Sequence, residues 1–159
     1  MHKKTQAEHL ASLMKKYKTP LKYELALPLV KLLGSTLNTL LVNDVLPLKL
    51  KVFKAILIRN NRLYANVILV KENGKIGLKV LDILDEKISK SKTKKYKVVK
   101  LLFTDIKTNT LEVGSIIDVS YIDFKKVSLV CKNKKIATAS LVSIGGEIAI
   151  QIDKVENNA

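Results

Sequence analysis

The amino-acid sequence predicts a mainly β protein: two tandem β-modules packed together, with a short N-terminal helix ahead of them. Three observations carry that expectation. Residues 54–83 and 126–155 align without a gap as two copies of one unit, and Lys54/Lys126, Leu57/Leu129, Asn61/Asn133, Ala65/Ala137, Leu69/Leu141, Val70/Val142, Gly74/Gly146 and Ile76/Ile148 coincide. Within the copies apolar residues follow the period of two of half-buried strands, as Ile148, Ile150 and Ile152 do between Ala149, Gln151 and Asp153. Turn signals also fall at matching places, with Asn73-Gly74 in one copy and Gly145-Gly146 in the other.

In chain order, residues 1–19 read as an amphipathic helix. Thr5-Gln6-Ala7-Glu8 is a capping box, Ala7, Leu10, Met14 and Tyr17 share one face, and Pro20 follows the helix. The first module spans residues 20–84. It opens with a strand at Leu25–Leu33, which Pro28 pushes towards an edge or a bulge. Gly34-Ser35-Thr36 is a turn, and Leu37–Leu46 is a short helix or an extended segment. Strands Lys54–Arg59 and Arg62–Val70 join at Asn60-Asn61, a pair that tolerates positive φ, and Lys75–Ile83 follows the Asn73-Gly74 turn.

Residues 85–97 are polar, free of glycine and dense in lysine. They read as a linker, about 40 Å long if extended. The second module spans residues 98–156. Val98–Phe103 corresponds to the strand at Leu25–Leu33, and Ile116–Tyr121 is a further strand. Strands Lys126–Lys132 and Lys135–Ile144 flank a turn at Asn133-Lys134, and Gly145-Gly146 leads into Glu147–Val155. A β-unit of about 70 residues is near the lower limit for a self-sufficient core, so the two copies are expected to shield each other. The side chains expected at that contact are Leu57, Leu69, Ile76, Leu78 and Val80 in the first copy, and Leu129, Leu141, Ile148, Ile150 and Ile152 in the second.

The net charge of +15 comes almost wholly from lysine, Arg59 and Arg62 being the only arginines. A lysine excess attracts acidic protein, nucleic acid or phospholipid alike. Reading of bases favours Arg, Asn and Gln with stacking aromatics, whereas aromatic residues make up 5% of this chain and Trp is absent. A basic β-domain that binds nucleic acid is therefore the alternative to an assembly role. The lone Cys131 excludes an internal disulfide and fits a reducing compartment. No secretory leader and no run of apolar residues long enough for a membrane helix occurs, which predicts a soluble, cytosolic protein. His2 and His9 lack neighbouring Cys or carboxylate clusters, and Gly145-Gly146 lacks the Lys-Ser/Thr of a phosphate loop. The expectation is a non-enzymatic protein without metal or cofactor.

Two stretches resemble a known family. Leu111-Glu-Val-Gly-Ser-Ile-Ile-Asp-Val, then Val127-Ser-Leu-Val-Cys-Lys-Asn-Lys-Lys-Ile-Ala and Leu141-Val-Ser-Ile-Gly-Gly-Glu-Ile-Ala-Ile-Gln-Ile, resemble the SpoA (surface presentation of antigens) domain of flagellar motor switch and type III secretion cytoplasmic-ring proteins. In the first copy, Leu33-Gly34-Ser35-Thr36 with Leu37 and Thr39 looks like the opening of that pattern, and Gly74 to Ile83 looks like its closing strand. The Gly-Glu pair of the family pattern is replaced by Val67-Ile68 and by Ala139-Ser140. The resemblance implies tandem SpoA-like modules that pair as intertwined β-structures. It implies a ring or motor-switch subunit at the cytoplasmic base of an export apparatus, with other ring subunits and the export ATPase regulator as partners.

Overall fold

The structure, a computed structural model, describes residues 20–88, 95–109 and 111–156. The helix predicted over residues 1–19 and the middle of the predicted linker lie outside them. The strands are β1 (Leu21–Ala26), β2 (Val30–Leu33), β3 (Val45–Leu50), β4 (Lys54–Arg59), β5 (Arg62–Glu72), β6 (Lys75–Lys87), β7 (Tyr96–Thr108), β8 (Ile116–Asp118), β9 (Lys126–Cys131), β10 (Lys134–Ile144) and β11 (Glu147–Val155), with a five-residue helix α1 (Gly34–Asn38) after β2. All pair antiparallel in one 11-stranded sheet ordered β3-β11-β10-β9-β7-β1-β4-β5-β6-β8, with β2 also paired to β7. The protein is mainly β, as the alternation predicts.

The two copies share their irregularities as well as their strands. Between β4 and β5 the register slips around Tyr64, and between β9 and β10 it slips around Ile136, the matching residue. Between β5 and β6 it skips Leu81, and between β10 and β11 it skips Asp153, again the matching residue. A bulge re-aims every side chain beyond it, so shared bulges give both meanders the same curl. The hairpin turns match too. Asn60 and Asn61 take φ of 51° and 59°, and Lys132 and Asn133 take 50° and 62°. Both central residues are left-handed, as a two-residue type I′ turn requires. The second turn is therefore Lys132-Asn133, one residue earlier than the sequence suggests. Cys131 pairs with Lys134, which leaves those two residues as the loop.

Three strand limits differ from expectation. The strand expected over Leu25–Leu33 breaks at Pro28 into β1 and β2, because proline has no N–H to give the ladder; Leu27 N–H reaches the Leu101 carbonyl at 3.0 Å. β6 and β7 run into the expected linker. Glu86 and Lys87 pair with Leu63 and Arg62 beyond a further bulge, so pairing holds a polar strand that its side chains alone would not bury. β8 stops at Asp118, whose carboxylate accepts from the backbone N–H of Ser120 at 3.1 Å and from its hydroxyl at 2.8 Å, turning the chain.

Two strands cross over. β3 belongs to the first half of the chain but pairs with β11 of the second, Leu46 facing Ile150. β8 belongs to the second half but pairs with β6 of the first, Ile117 facing Leu78. At the centre β1 and β7 pair antiparallel, and each also borders its own meander: Leu25 sits opposite Leu57, and Leu101 opposite Leu129. The strand order is thus the same read from either end, with each half lending one strand to the other.

The cores follow this exchange. The first gathers Tyr23, Leu25, Leu57, Val67, Leu78 and Val80, and admits Ile106, Ile117 and Val119 from the second half of the chain. The second gathers Val99, Leu101, Leu129, Ile150 and Ile152, and admits Leu27 and Leu40 from the first half. Ile56 and Ile58 alternate with Ala55 and Leu57 along β4 and so face the other way, where they meet Ala26 and Ile88 in a third, smaller cluster. Among the described residues no polar or charged side chain is buried. Apolar burial and strand pairing hold the fold together.

Candidate interaction interface

The join between the halves is where the chain concentrates its aromatic packing. All three phenylalanines meet there. Ring centroids of Phe53 and Phe124 lie 5.5 Å apart with planes at 86°, those of Phe103 and Phe124 5.3 Å at 67°, and those of Phe53 and Phe103 5.6 Å at 35°. The two steepest are the edge-to-face arrangement that aromatic quadrupoles favour. Phe53 and Phe103 pack against both large cores, so this trio seals one against the other. Sequence reasoning missed these residues. The signal available was that Phe53 and Phe124 stand just ahead of the two aligned copies.

Backbone contact at the crossing depends on Gly77. A Cβ there would lie 2.5 Å from Ile116 Cγ2 and 3.2 Å from the Ile117 carbonyl oxygen. Only a residue without a side chain lets β8 lie this close on β6. Around that contact Val80 N–H donates to the Ser115 carbonyl at 2.9 Å, Gly114 N–H to the Val80 carbonyl at 2.8 Å, and Val119 N–H to the Ile76 carbonyl at 3.2 Å. Across the central β1–β7 pair, Lys100 Nζ lies 3.6 Å from Glu24 and Lys22 Nζ 3.4 Å from Asp105. These pairs are partly solvated and contribute to register more than to stability.

The residues expected at the contact between modules occupy the following places. Leu57, Leu78 and Val80 are buried in the first core, with Leu69 and Ile76 half-buried against it. Leu129, Ile150 and Ile152 are buried in the second core, with Leu141 half-buried against it. Ile148 is half-buried on β11 opposite Leu50. Leu78, Ile148 and Ile150 therefore face the crossing strands directly. Asn60, Asn61, Asn73, Gly74, Asn133, Gly145 and Gly146 all take positive φ at hairpin turns.

The sheet ends in two edges, β3 and β8, and these occupy matching positions. Each carries an apolar residue on the edge strand and another three residues earlier, all open to solvent: Val45 and Val42 at one end, Ile116 and Val113 at the other, 41–66% exposed. An unpaired edge flanked by exposed apolar side chains is a template for association. Pro47 within β3 and the shortness of β8 limit indiscriminate pairing.

Titratable groups show stabilised turns and strands. The Ser120 N–H and hydroxyl hold the Asp118 carboxyl below its ordinary range. The Ser140 hydroxyl at 2.6 Å and Lys126 Nζ at 3.1 Å do the same for Asp153, the bulged residue of β11. Burial raises Tyr23. Among the described residues no group of three or more His, Cys, Asp or Glu is placed to hold a metal ion, and no helix is long and apolar enough to cross a membrane. No family model and no curated protein matches this chain.

Proposed function

We propose that this chain is a non-enzymatic assembly protein, a tandem SpoA-like subunit of the cytoplasmic ring or motor switch of a flagellar or type III export system. In that role it binds other ring subunits and the regulator of the export ATPase. The observation that carries this reading is the exchange of β3 and β8 between two meanders of one chain. Strand exchange builds a pseudo-symmetric body whose two ends present matching edges, which suits a repeating neighbour-to-neighbour contact. The shared bulges and type I′ turns support descent of both halves from one module. The quasi-equivalent apolar pairs at Val42/Val45 and Val113/Ile116 supply the surface for the neighbour.

The test is affinity capture with cross-linking from the native cell, comparing the parent chain with a Val45→Lys/Ile116→Lys variant. Ring subunits and the ATPase regulator are expected with the parent and lost with the variant, whose melting temperature stays close to that of the parent. Capture of neither class by the parent refutes the assignment.

A further inference from the structure

One end of the second half gathers lysines that make no ion pair with a described residue. Three segments meet there: β2 with Lys31 opposite Val98, the start of β7 with Tyr96 opposite Leu33, and the β9–β10 hairpin, joined to β7 where Val130 faces Lys100. Lys31, Lys95, Lys132, Lys134 and Lys135 are exposed on this rim, and none makes an ion pair with a described residue. Tyr96, 41% exposed, stands among them. Glu156, half-buried with its N–H on the Ile136 carbonyl, is the carboxylate at the end of β11.

The matching end of the first half is built differently. Its hairpin carries Arg59 and Arg62, but β6 continues beyond Ile83, the residue that matches the end of β11, through Leu84, Asp85, Glu86 and Lys87. Asp85 takes Arg62 Nε at 2.7 Å, Glu86 lies opposite Leu63, and Asp105 takes Lys22 at 3.4 Å. β11 ends at Val155 and is followed by Glu156, a single carboxylate among the described residues where β6 carries both Asp85 and Glu86. The asymmetry is therefore local and comes from the longer β6, with Asp105 of β7 adding to it.

We propose that this lysine rim docks an acidic polypeptide segment, rich in Asp and Glu, on a partner protein. Lysine ammonium groups are compact point charges on flexible stems, so several of them can each meet one carboxylate of an extended acidic segment without the fixed geometry that a guanidinium fork requires. Both arginines lie at the opposite end, where Arg62 is engaged with Asp85. Single-stranded nucleic acid stacks on successive aromatic side chains, and among the described residues this rim offers Tyr96 alone. The partner class rests on the assembly role proposed above; the site itself rests on the charge asymmetry between two matching ends.

The experiment titrates the full chain with labelled poly-glutamate at low and physiological salt. It compares a rim variant, Lys31→Glu/Lys134→Glu/Lys135→Glu, with a charge-matched control at the other end, Lys22→Glu/Lys87→Glu/Lys107→Glu. Lys132 is left alone because its left-handed backbone would confuse the result. The rim variant is expected to lose affinity about tenfold or more and the control about twofold, since screening confines the effect to nearby charge. Thermal melts verify the fold, and a Lys→Gln version of the rim triple must give the same ordering. Equal losses in the two variants would mean attraction by net charge alone and overturn the site. Tighter, rim-dependent binding of an oligothymidylate or of phosphatidylserine vesicles would overturn the polypeptide partner. Neither result alters the capture experiment, so failure of the rim and failure of the assembly role are separable.

Discussion

Replacing Gly77 with alanine tests the strand crossing, because the two ways the crossing could be built predict opposite signs. On an open strand, Gly→Ala stabilises a protein by about 0.4–1 kcal/mol through loss of freedom in the unfolded chain. At Gly77 the added Cβ meets Ile116 Cγ2 at 2.5 Å and the Ile117 carbonyl at 3.2 Å. The Ile116 methyl can swing away, but the carbonyl is backbone and moves only with β8. Overpacking of this kind costs about 1–3 kcal/mol, so the net expectation is a destabilisation of about 1–2 kcal/mol. For a chain of this size that lowers the melting temperature by roughly 2–8 °C. Gly77→Val should be worse, because it lifts β8 and exposes Ile117 and Val119, each worth about 1.5–3 kcal/mol of burial. Adding Ile116→Ala to Gly77→Ala should recover part of the loss, since it removes the nearer obstacle. Thermal and urea melts of the four proteins decide the matter. A Gly77→Ala protein that melts higher than the parent means β8 does not lie on β6, and the exchanged-strand architecture falls with it.

Further outcomes follow from the same geometry. Phe124→Ala should cost about 2–4 kcal/mol, and a double-mutant cycle with Phe53→Ala should show coupling of about 0.5–1.5 kcal/mol; additive losses would mean the rings do not seal the cores jointly. Asp153 has a folded pKa below its unfolded value, so its contribution is present above the unfolded pKa and is lost as pH falls through the folded one. Asp153→Asn should therefore lose less stability than the parent on going from neutral pH to about pH 2, measured by urea denaturation at both. Residues 20–88 expressed alone leave β3 without β11 and β6 without β8, so they should be unfolded or dimerise by the same exchange; a stable monomer would refute mutual shielding.

Much of the fold was legible because strand signals are local. Asn60-Asn61, Asn73-Gly74 and Gly145-Gly146 mark turns whatever surrounds them, since left-handed backbone is a property of those residues. The alternation of Ile148, Ile150 and Ile152 marks a strand with one buried face for the same reason. The extra strand length at Asp85–Lys87 was not legible. Its residues have no apolar alternation, and pairing with β5 alone holds them extended.

By itself, the sequence determined a mainly β chain, the duplicated meander, the place of most turns and the excess of lysine. Each is written in residue type and short-range spacing. The tertiary structure decided which meander each short strand joins, how the three phenylalanines meet, and why Lys22 and Arg62 find carboxylates at one end while Lys31, Lys95, Lys132, Lys134 and Lys135 at the other make no ion pair with a described residue. Those outcomes depend on contacts between residues far apart in the chain, whose cost in loop entropy and gain in burial are settled only when the whole sheet closes on its cores.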